Sequence, residues 1–241
     1  MKHLFLYVVC AAYLLCALHA VFMISNQPIR QVDNTSTQDN ITFVLDAGHG
    51  GEDGGAVAAD GTLEKDLNLQ IEQTLAALFV LYGVPFIETR TEDASIGDNS
   101  LSTVRERKRS DILTRYRLVN ETPNSVLLSI HQNKYEISKY SGAQVFYAAD
   151  IPEAKAFAQL IQTSVRETLQ PNNDRQIKPS GSSIFLLYKA QRPSVLIECG
   201  FLSNPDELAR LKTPKYQTEL SYAILRSVLQ YCNAIKGEAA L

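Results

Sequence analysis

Short apolar runs alternate along the chain with stretches in which apolar residues recur every three or four positions. The apolar runs predict strands at residues 41–46, 84–89, 126–130, 143–148, 184–187 and 195–197. Strands that alternate with helices are typical of a parallel sheet covered by helices. We therefore expect an α/β fold, in which a single domain has a mostly parallel central sheet flanked by helices.

The helical stretches carry their apolar residues on one face. Leu67, Ile71, Leu75 and Leu78 predict a helix over residues 64–82, which Gly83 ends. The same reasoning predicts further helices at residues 103–120, 152–169, 205–211 and 216–231. Pro152 falls in the first turn of its predicted helix, where proline is favoured.

The N-terminal segment has a different pattern, because residues 4–24 contain no Asp, Glu, Lys or Arg. As a helix this segment can cross the ~30 Å hydrocarbon layer of a membrane. Lys2 precedes it, so we expect residues 1–24 to be a signal anchor, residues 25–40 a polar stalk, and residues 41–241 a catalytic domain outside the cytoplasm. The alternative is a signal peptide cleaved near Ala20, which would release a secreted protein.

The composition indicates how many domains to expect, whether nucleic acid is a partner, and whether the cysteines pair. The chain has 241 residues, 45% of them hydrophobic, which suits one well-buried domain. Its net charge of -3 gives no indication of a nucleic-acid partner. Cys199 directly follows a predicted buried strand, so we expect a free, buried thiol there rather than a disulfide with Cys232.

The residues that could bind a metal lie where predicted strands end. His49 follows the first strand through a glycine-rich loop, and His131 follows the third. Because the carboxyl ends of parallel strands converge on one crevice, the two imidazoles should meet there. Glu64, shortly after His49, adds a carboxylate. Two histidines and one carboxylate form the ligand set of a catalytic Zn²⁺ site, which leaves the fourth position free for water.

The glycine-rich loop and Glu64 each have an alternative interpretation that involves no metal. The glycines of residues 48–55 could cradle a phosphate, but Asp53 stands where a dinucleotide fingerprint needs glycine. Glu64 begins a predicted helix, where a carboxylate is favoured by the helix dipole alone.

Glu198 ends an apolar strand, where a carboxylate needs a partner or a proton, and it is our candidate for the catalytic acid/base. Arg115 lies on the apolar side of its helix, and a structural ion pair is the favoured interpretation.

Over residues 41–231 the chain resembles the zinc-dependent N-acetylmuramoyl-L-alanine amidases of the amidase_3 family. The segments that carry this resemblance are residues 44–55, 61–68, 128–133, 141–147 and 195–205. The resemblance implies that His49, Glu64 and His131 bind zinc and that Glu198 is catalytic, in agreement with the reading of the residues themselves. It also implies hydrolysis of the bond between N-acetylmuramic acid and L-alanine in peptidoglycan, whose glycan strands and stem peptides would be the substrate.

Within that family the chain looks most like the sporulation and germination amidases of endospore formers, which prepare muramic acid for δ-lactam formation in spore cortex. The alternatives are a vegetative autolysin with the same chemistry, another zinc peptidase or deacetylase, and a non-catalytic wall-binding protein. The sequence shows no wall-binding repeats, so the catalytic domain, the membrane through residues 4–24, or an activator or anchoring protein would have to hold the substrate.

Overall fold

The computed structural model describes residues 41–238, which form six strands and six helices. The strands are β1 (Thr42–Ala47), β2 (Phe86–Glu88), β3 (Ser125–Asn133), β4 (Gln144–Tyr147), β5 (Lys178–Pro179) and β6 (Ser194–Phe201). The helices are α1 (Glu64–Tyr82), α2 (Val104–Glu121), α3 (Pro152–Thr168), α4 (Phe185–Tyr188), α5 (Pro205–Leu211) and α6 (Pro214–Glu238).

The strands form one mixed sheet in the order β2-β1-β3-β6-β4-β5. Every neighbouring pair is parallel except β4 and β6, which are antiparallel. The predicted α/β fold with a mostly parallel sheet is therefore confirmed. The reversed direction of β4 and the two-residue strand β5 were not predicted, because neither leaves a distinctive pattern of apolar residues.

Both faces of the sheet are buried, which explains why its strands are continuous apolar runs rather than alternating ones. In β1, Phe43 and Leu45 join the larger core under α1, α3 and α6, whereas Val44 joins a smaller core under α2 and α4. All three side chains are fully buried. The sheet is thus held from both sides, and its carboxyl edge lies on a scaffold that packing fixes firmly.

The predicted strand at residues 184–187 is wrong, since Phe185–Tyr188 forms the short helix α4. Leu186 and Leu187 pack into the smaller core beside Leu127 and Leu196 of the sheet. A four-residue apolar run suits a buried helical turn as well as a buried strand, so periodicity could not decide between them.

No helix within residues 41–238 is long and apolar enough to cross a membrane. The predicted membrane segment at residues 4–24 and the stalk at residues 25–40 lie outside the described residues.

Glu72 of α1 is a fully buried acid, and neither of its carboxyl oxygens has a hydrogen-bond partner among residues 41–238. Burial, together with the negative charges of Glu88 and Asp46, raises the pKa of Glu72 from 4.5 to about 9. The folded protein therefore holds this carboxyl group neutral at pH 7. The unfolded chain releases the proton above about pH 4.5, so Glu72 lowers stability progressively between about pH 4.5 and pH 9.

Glu72→Gln should therefore raise the free energy of unfolding at pH 7, by on the order of 3 kcal/mol, because an amide cannot ionise in the unfolded chain. At pH 4 the variant and the wild type should be about equally stable, which makes the acidic measurement an internal control. Denaturant unfolding at pH 4, 7 and 8.5 tests this. An identical pH dependence in both proteins would mean that the side chain ionises in the folded state.

Candidate metal centre

Three neighbouring strands deliver the candidate residues to one edge of the sheet. His49 lies two residues beyond β1, His131 lies near the end of β3, and Glu198 lies in β6. Glu64 is the first residue of α1. The structure brings His49, Glu64 and His131 together, with one potential ligand atom from each within 4.8 Å of the others. The expected convergence at the carboxyl edge is therefore observed.

Both imidazoles approach the same oxygen of Glu64. Its Oε1 lies 2.9 Å from Nδ1 of His131 and 3.3 Å from Nε2 of His49. The backbone N–H groups of Gln132 and Ala56 donate to Oε1 and Oε2, at 3.1 and 2.8 Å. Neither amide belongs to α1, so the carboxylate serves this cluster rather than the open amides of its own helix. Glu64 is buried, whereas both imidazoles keep some exposure to solvent.

Two glycines allow the three side chains to meet. A Cβ atom on Gly48 would lie 2.1 Å from Nε2 of His131, which no side chain can tolerate. Gly55 has φ 67°, and a Cβ there would lie 2.6 Å from Oε2 of Glu64. The glycine-rich loop thus brings the backbone close to the imidazole and carboxylate groups. His49 itself adopts φ 63°, a left-handed conformation that is uncommon outside glycine.

Two arginines on the scaffold hold the backbone on which His49 sits. Arg115 donates from Nη2 to the carbonyl of His49 at 2.8 Å and from Nη1 to that of Ala47 at 2.9 Å. Arg90 donates to the carbonyls of Ala47 and Gly48 at 2.9 and 3.2 Å. Both arginines are buried. Three successive carbonyls are thereby fixed, which holds the unusual backbone conformation of His49 in place.

Arg115 also forms the structural ion pair that its place in the helical pattern predicted. Its guanidinium binds the buried carboxylate of Asp46 and, through Nε, that of Asp111 at 2.7 Å. Burial would raise the pKa of Asp46, but Arg115 and a hydrogen bond from Ser129 lower it to about 2. A permanent ion pair therefore lies directly beneath the loop of His49.

Sequence reasoning missed Arg90 and the partner of His49. Oδ2 of Asp53 lies 3.0 Å from Nδ1 of His49, so this carboxylate orients the ring whose Nε2 faces Glu64. A carboxylate behind a histidine is a common support for metal ligation. The role of Asp53 could have been inferred from the sequence, because this acid follows His49 by four residues within the glycine-rich loop. Arg90 left no comparable signal.

The electrostatics of the cluster favour positive charge at its centre. Burial would raise the pKa of Glu64, but the hydrogen bonds with His131 and His49 hold it well below its usual range. Burial lowers the pKa of His49, yet the hydrogen bonds to Asp53 and Glu64 outweigh it and raise the value to about 9. Because the carboxylates stabilise positive charge between these side chains, the cluster can also hold a metal cation.

Glu198 lies beside this cluster without belonging to it. It is the Cα partner of His131 in the parallel pair of β3 and β6, where neighbouring strands lie about 4.8 Å apart. Burial raises the pKa of Glu198 to about 7. Its Oε2 is buried and has no hydrogen-bond partner within the described part of the chain. A carboxyl group in this state can both accept and donate a proton near neutral pH.

The residue after Glu198 has no comparable role. Cys199 is a free thiol that is fully buried, as the sequence predicted, and burial raises its pKa far above the usual range. A thiol held neutral inside the core is chemically inert.

Comparisons with known proteins agree with this geometry. The family Amidase_3, described as N-acetylmuramoyl-L-alanine amidase, matches residues 43–230. The germination-specific N-acetylmuramoyl-L-alanine amidase of Bacillus subtilis is 36% identical over 187 residues, which is 78% of each chain. The N-acetylmuramoyl-L-alanine amidase LytC of the same organism is 27% identical over 195 residues, covering 79% of this chain and 35% of LytC.

A solved structure is similar over the same region. The CwlD amidase from Clostridioides difficile, in complex with the GerS lipoprotein, superimposes with a TM-score of 0.77 and 37% sequence identity. The match covers 80% of this chain and 98% of that one.

Proposed function

Because this chain belongs to the N-acetylmuramoyl-L-alanine amidase family Amidase_3, we propose that its cluster of two histidines and a glutamate is a zinc site at which peptidoglycan is hydrolysed. The enzyme is an N-acetylmuramoyl-L-alanine amidase, which cleaves the amide between N-acetylmuramic acid and L-alanine.

The observation that carries the zinc proposal is the convergence of both imidazoles on one oxygen of Glu64. His49, Glu64 and His131 would hold the ion, and nitrogen and oxygen donors of this kind match its preference. Three protein ligands leave one tetrahedral position open. When bound at such a set, zinc supplies Lewis-acid activation of the scissile carbonyl and of a water molecule.

Glu198 is the group that moves protons in this proposal. Its carboxylate accepts a proton from the attacking water as the water oxygen bonds to the lactyl carbonyl carbon. It then donates that proton to the L-alanine nitrogen as the carbon–nitrogen bond breaks, which leaves a carboxylic acid on the muramoyl group and a free amine on the peptide. Asp53 orients His49, and Arg90 and Arg115 hold the backbone of that loop, so these three act by positioning.

The chemistry can be tested by digesting purified peptidoglycan with the protein and sequencing the released peptides. Each peptide should begin with a free N-terminal L-alanine. Cleavage at another position of the stem peptide, or removal of acetyl groups alone, would instead support a zinc peptidase or deacetylase.

We propose that the biological setting is the maturation of spore cortex, supported by the 36% identity to a germination-specific amidase. Spores lacking this protein should contain no muramic δ-lactam in their muropeptide profile. Complementation with the wild-type gene should restore the lactam, whereas complementation with Glu198→Gln should not. An unchanged profile in the deletion strain would favour a vegetative autolysin with the same chemistry.

We also propose that residues 4–24 anchor the enzyme on the outer side of the membrane, because they form a continuous uncharged apolar stretch. The full-length protein should sediment with membranes, and its catalytic domain should be cut by protease added from outside the cytoplasm. Recovery only as a soluble protein that begins near Val21 would show a cleaved signal peptide instead.

We also expect this chain to bind a partner protein. The CwlD amidase of Clostridioides difficile was solved in complex with the GerS lipoprotein. This chain aligns with nearly all of that amidase, so we propose that a partner of a similar kind binds it and supports its activity. Adding the partner should therefore raise the turnover of the isolated protein, and unchanged turnover would contradict a need for such a partner.

A further inference from the structure

A cluster of aromatic rings lies just beyond the proposed zinc site along β3 and β6. His131 and Glu198 are paired across these strands, and the next pair, after a bulge, is Asn133 and Phe201. Two residues along β3 span about 7 Å, and alternation puts Asn133 on the same face as His131. Phe201 follows Glu198 by three residues in β6, so its backbone lies near the groups proposed to react.

Phe201 itself is buried, and the loop after β3 places two exposed rings beside it. Tyr135 is 53% exposed and Tyr140 is 37% exposed. The centroids of these two rings are 5.2 Å apart, and Tyr140 lies 6.4 Å from Phe201. The guanidinium of Arg175 lies 4.5 Å from the centroid of the Phe201 ring. We call Tyr135, Tyr140, Phe201 and Arg175 the aromatic platform.

The platform is held by the same scaffold that carries Glu198. The backbone N–H of Tyr135 donates to Oγ of Ser203 at 3.1 Å, just after β6. The side chain of Asn204 donates to the carbonyl of Tyr140 at 3.3 Å. These contacts fix where the loop lies, although they leave both tyrosine rings open to solvent. Exposed apolar rings that are held beside a catalytic centre indicate a binding surface rather than core packing.

Arg175 links the platform to the catalytic strand. Its Nη1 donates to Oε1 of Gln144 at 3.2 Å, and Gln144 is the Cα partner of Glu198 in the antiparallel pair. Its Nε donates to the carbonyl of Ser141 at 2.9 Å. Two parts of the guanidinium are thus already hydrogen-bonded, and its face covers Phe201. Arg175 therefore supports the aromatic surface, and these contacts occupy much of the guanidinium that could otherwise bind a carboxylate.

We propose that the aromatic platform binds a pyranose ring of the glycan strand, next to the muramoyl residue whose amide is cleaved. This inference rests on the proposed amidase function and names the part of the substrate that this surface recognises. The face of a pyranose presents C–H groups that pack on the electron-rich face of an aromatic ring. Tyrosine hydroxyls at the rim suit the polar substituents of the sugar. A carboxylate of the stem peptide would meet Lys139 here, whose Nζ lies 5.7 Å from the centroid of the Tyr140 ring, so free stem peptides are the competing ligand in the test.

The test is a binding measurement on the full-length chain with two probes that lack the scissile amide and are therefore not consumed. The probes are soluble glycan chains stripped of stem peptides and, separately, free stem peptides. The double variant Tyr135→Ala, Tyr140→Ala should bind glycan about tenfold more weakly than the parent chain, the effect expected from losing aromatic stacking. Binding of the free stem peptides should change much less.

Two matched variants serve as controls. Tyr135→Phe with Tyr140→Phe keeps both rings and should bind glycan nearly as well as the parent. Tyr222→Ala removes a tyrosine of similar exposure from α6 and should have no effect. Unchanged glycan binding in the double alanine variant, or a loss confined to stem peptides, would overturn the inference. The site of cleavage by the wild-type enzyme is measured separately, so a failed amidase proposal would be recognised independently of the binding result.

Discussion

Glu198→Gln should leave the protein folded and loaded with zinc while lowering turnover by roughly 10²- to 10⁴-fold, the usual worth of a general acid/base. Glu198 lies beside the cluster of His49, Glu64 and His131 but is not one of its three potential ligands. Glutamine has nearly the same size and cannot carry the proton from water to the leaving nitrogen. The measurements are metal content and the rate of muropeptide cleavage in the same preparation.

The matched control for this variant is Glu64→Gln, which changes the other carboxylate in the same way. It removes an anionic group on which both imidazoles converge, so it should weaken zinc affinity itself. If Glu198→Gln lost zinc while Glu64→Gln kept it, the roles of the two carboxylates would be reversed. Wild-type turnover in Glu198→Gln would rule out the proton transfer proposed for that residue.

His49→Ala and His131→Ala should each reduce zinc content from about one ion per chain to background and abolish activity. Each removes one of only three protein ligands, and the two that remain cannot hold the ion in a tetrahedral site. Metal analysis after dialysis against a weak chelator measures this, with circular dichroism to check the fold. Full zinc occupancy in both variants would exclude the proposed site.

Asp53→Asn provides a graded control for the same site, because Asp53 supports His49 from behind and is not one of the three clustered ligands. Loss of such a support commonly lowers metal affinity by roughly 10- to 100-fold. The variant should therefore bind zinc when the metal is abundant and lose it to a chelator sooner than the wild type does. Complete loss of zinc would instead indicate that Asp53 coordinates the ion.

The sequence predicted the chemistry of the site because that chemistry depends on where strands end. His49 and His131 follow apolar runs that predicted buried strands, and parallel strands bring their carboxyl ends to one edge. The start of a helix at Glu64 placed a carboxylate at that same edge. The proposed membrane anchor is likewise a property of local composition, and it stays a prediction.

Contacts between segments that are distant in the chain could not be predicted from the sequence and were seen only in the tertiary structure. The reversed strand β4 and the helix at Phe185–Tyr188 depend on which partner a short apolar segment meets, and many partners satisfy the same local pattern. Arg90 binds carbonyls 42 and 43 residues away, and nothing near it in the sequence marks that role. Likewise, the aromatic platform exists only because folding brings Arg175 over Phe201. Periodicity records which face of an element is apolar, whereas the identity of its neighbours depends on long-range packing.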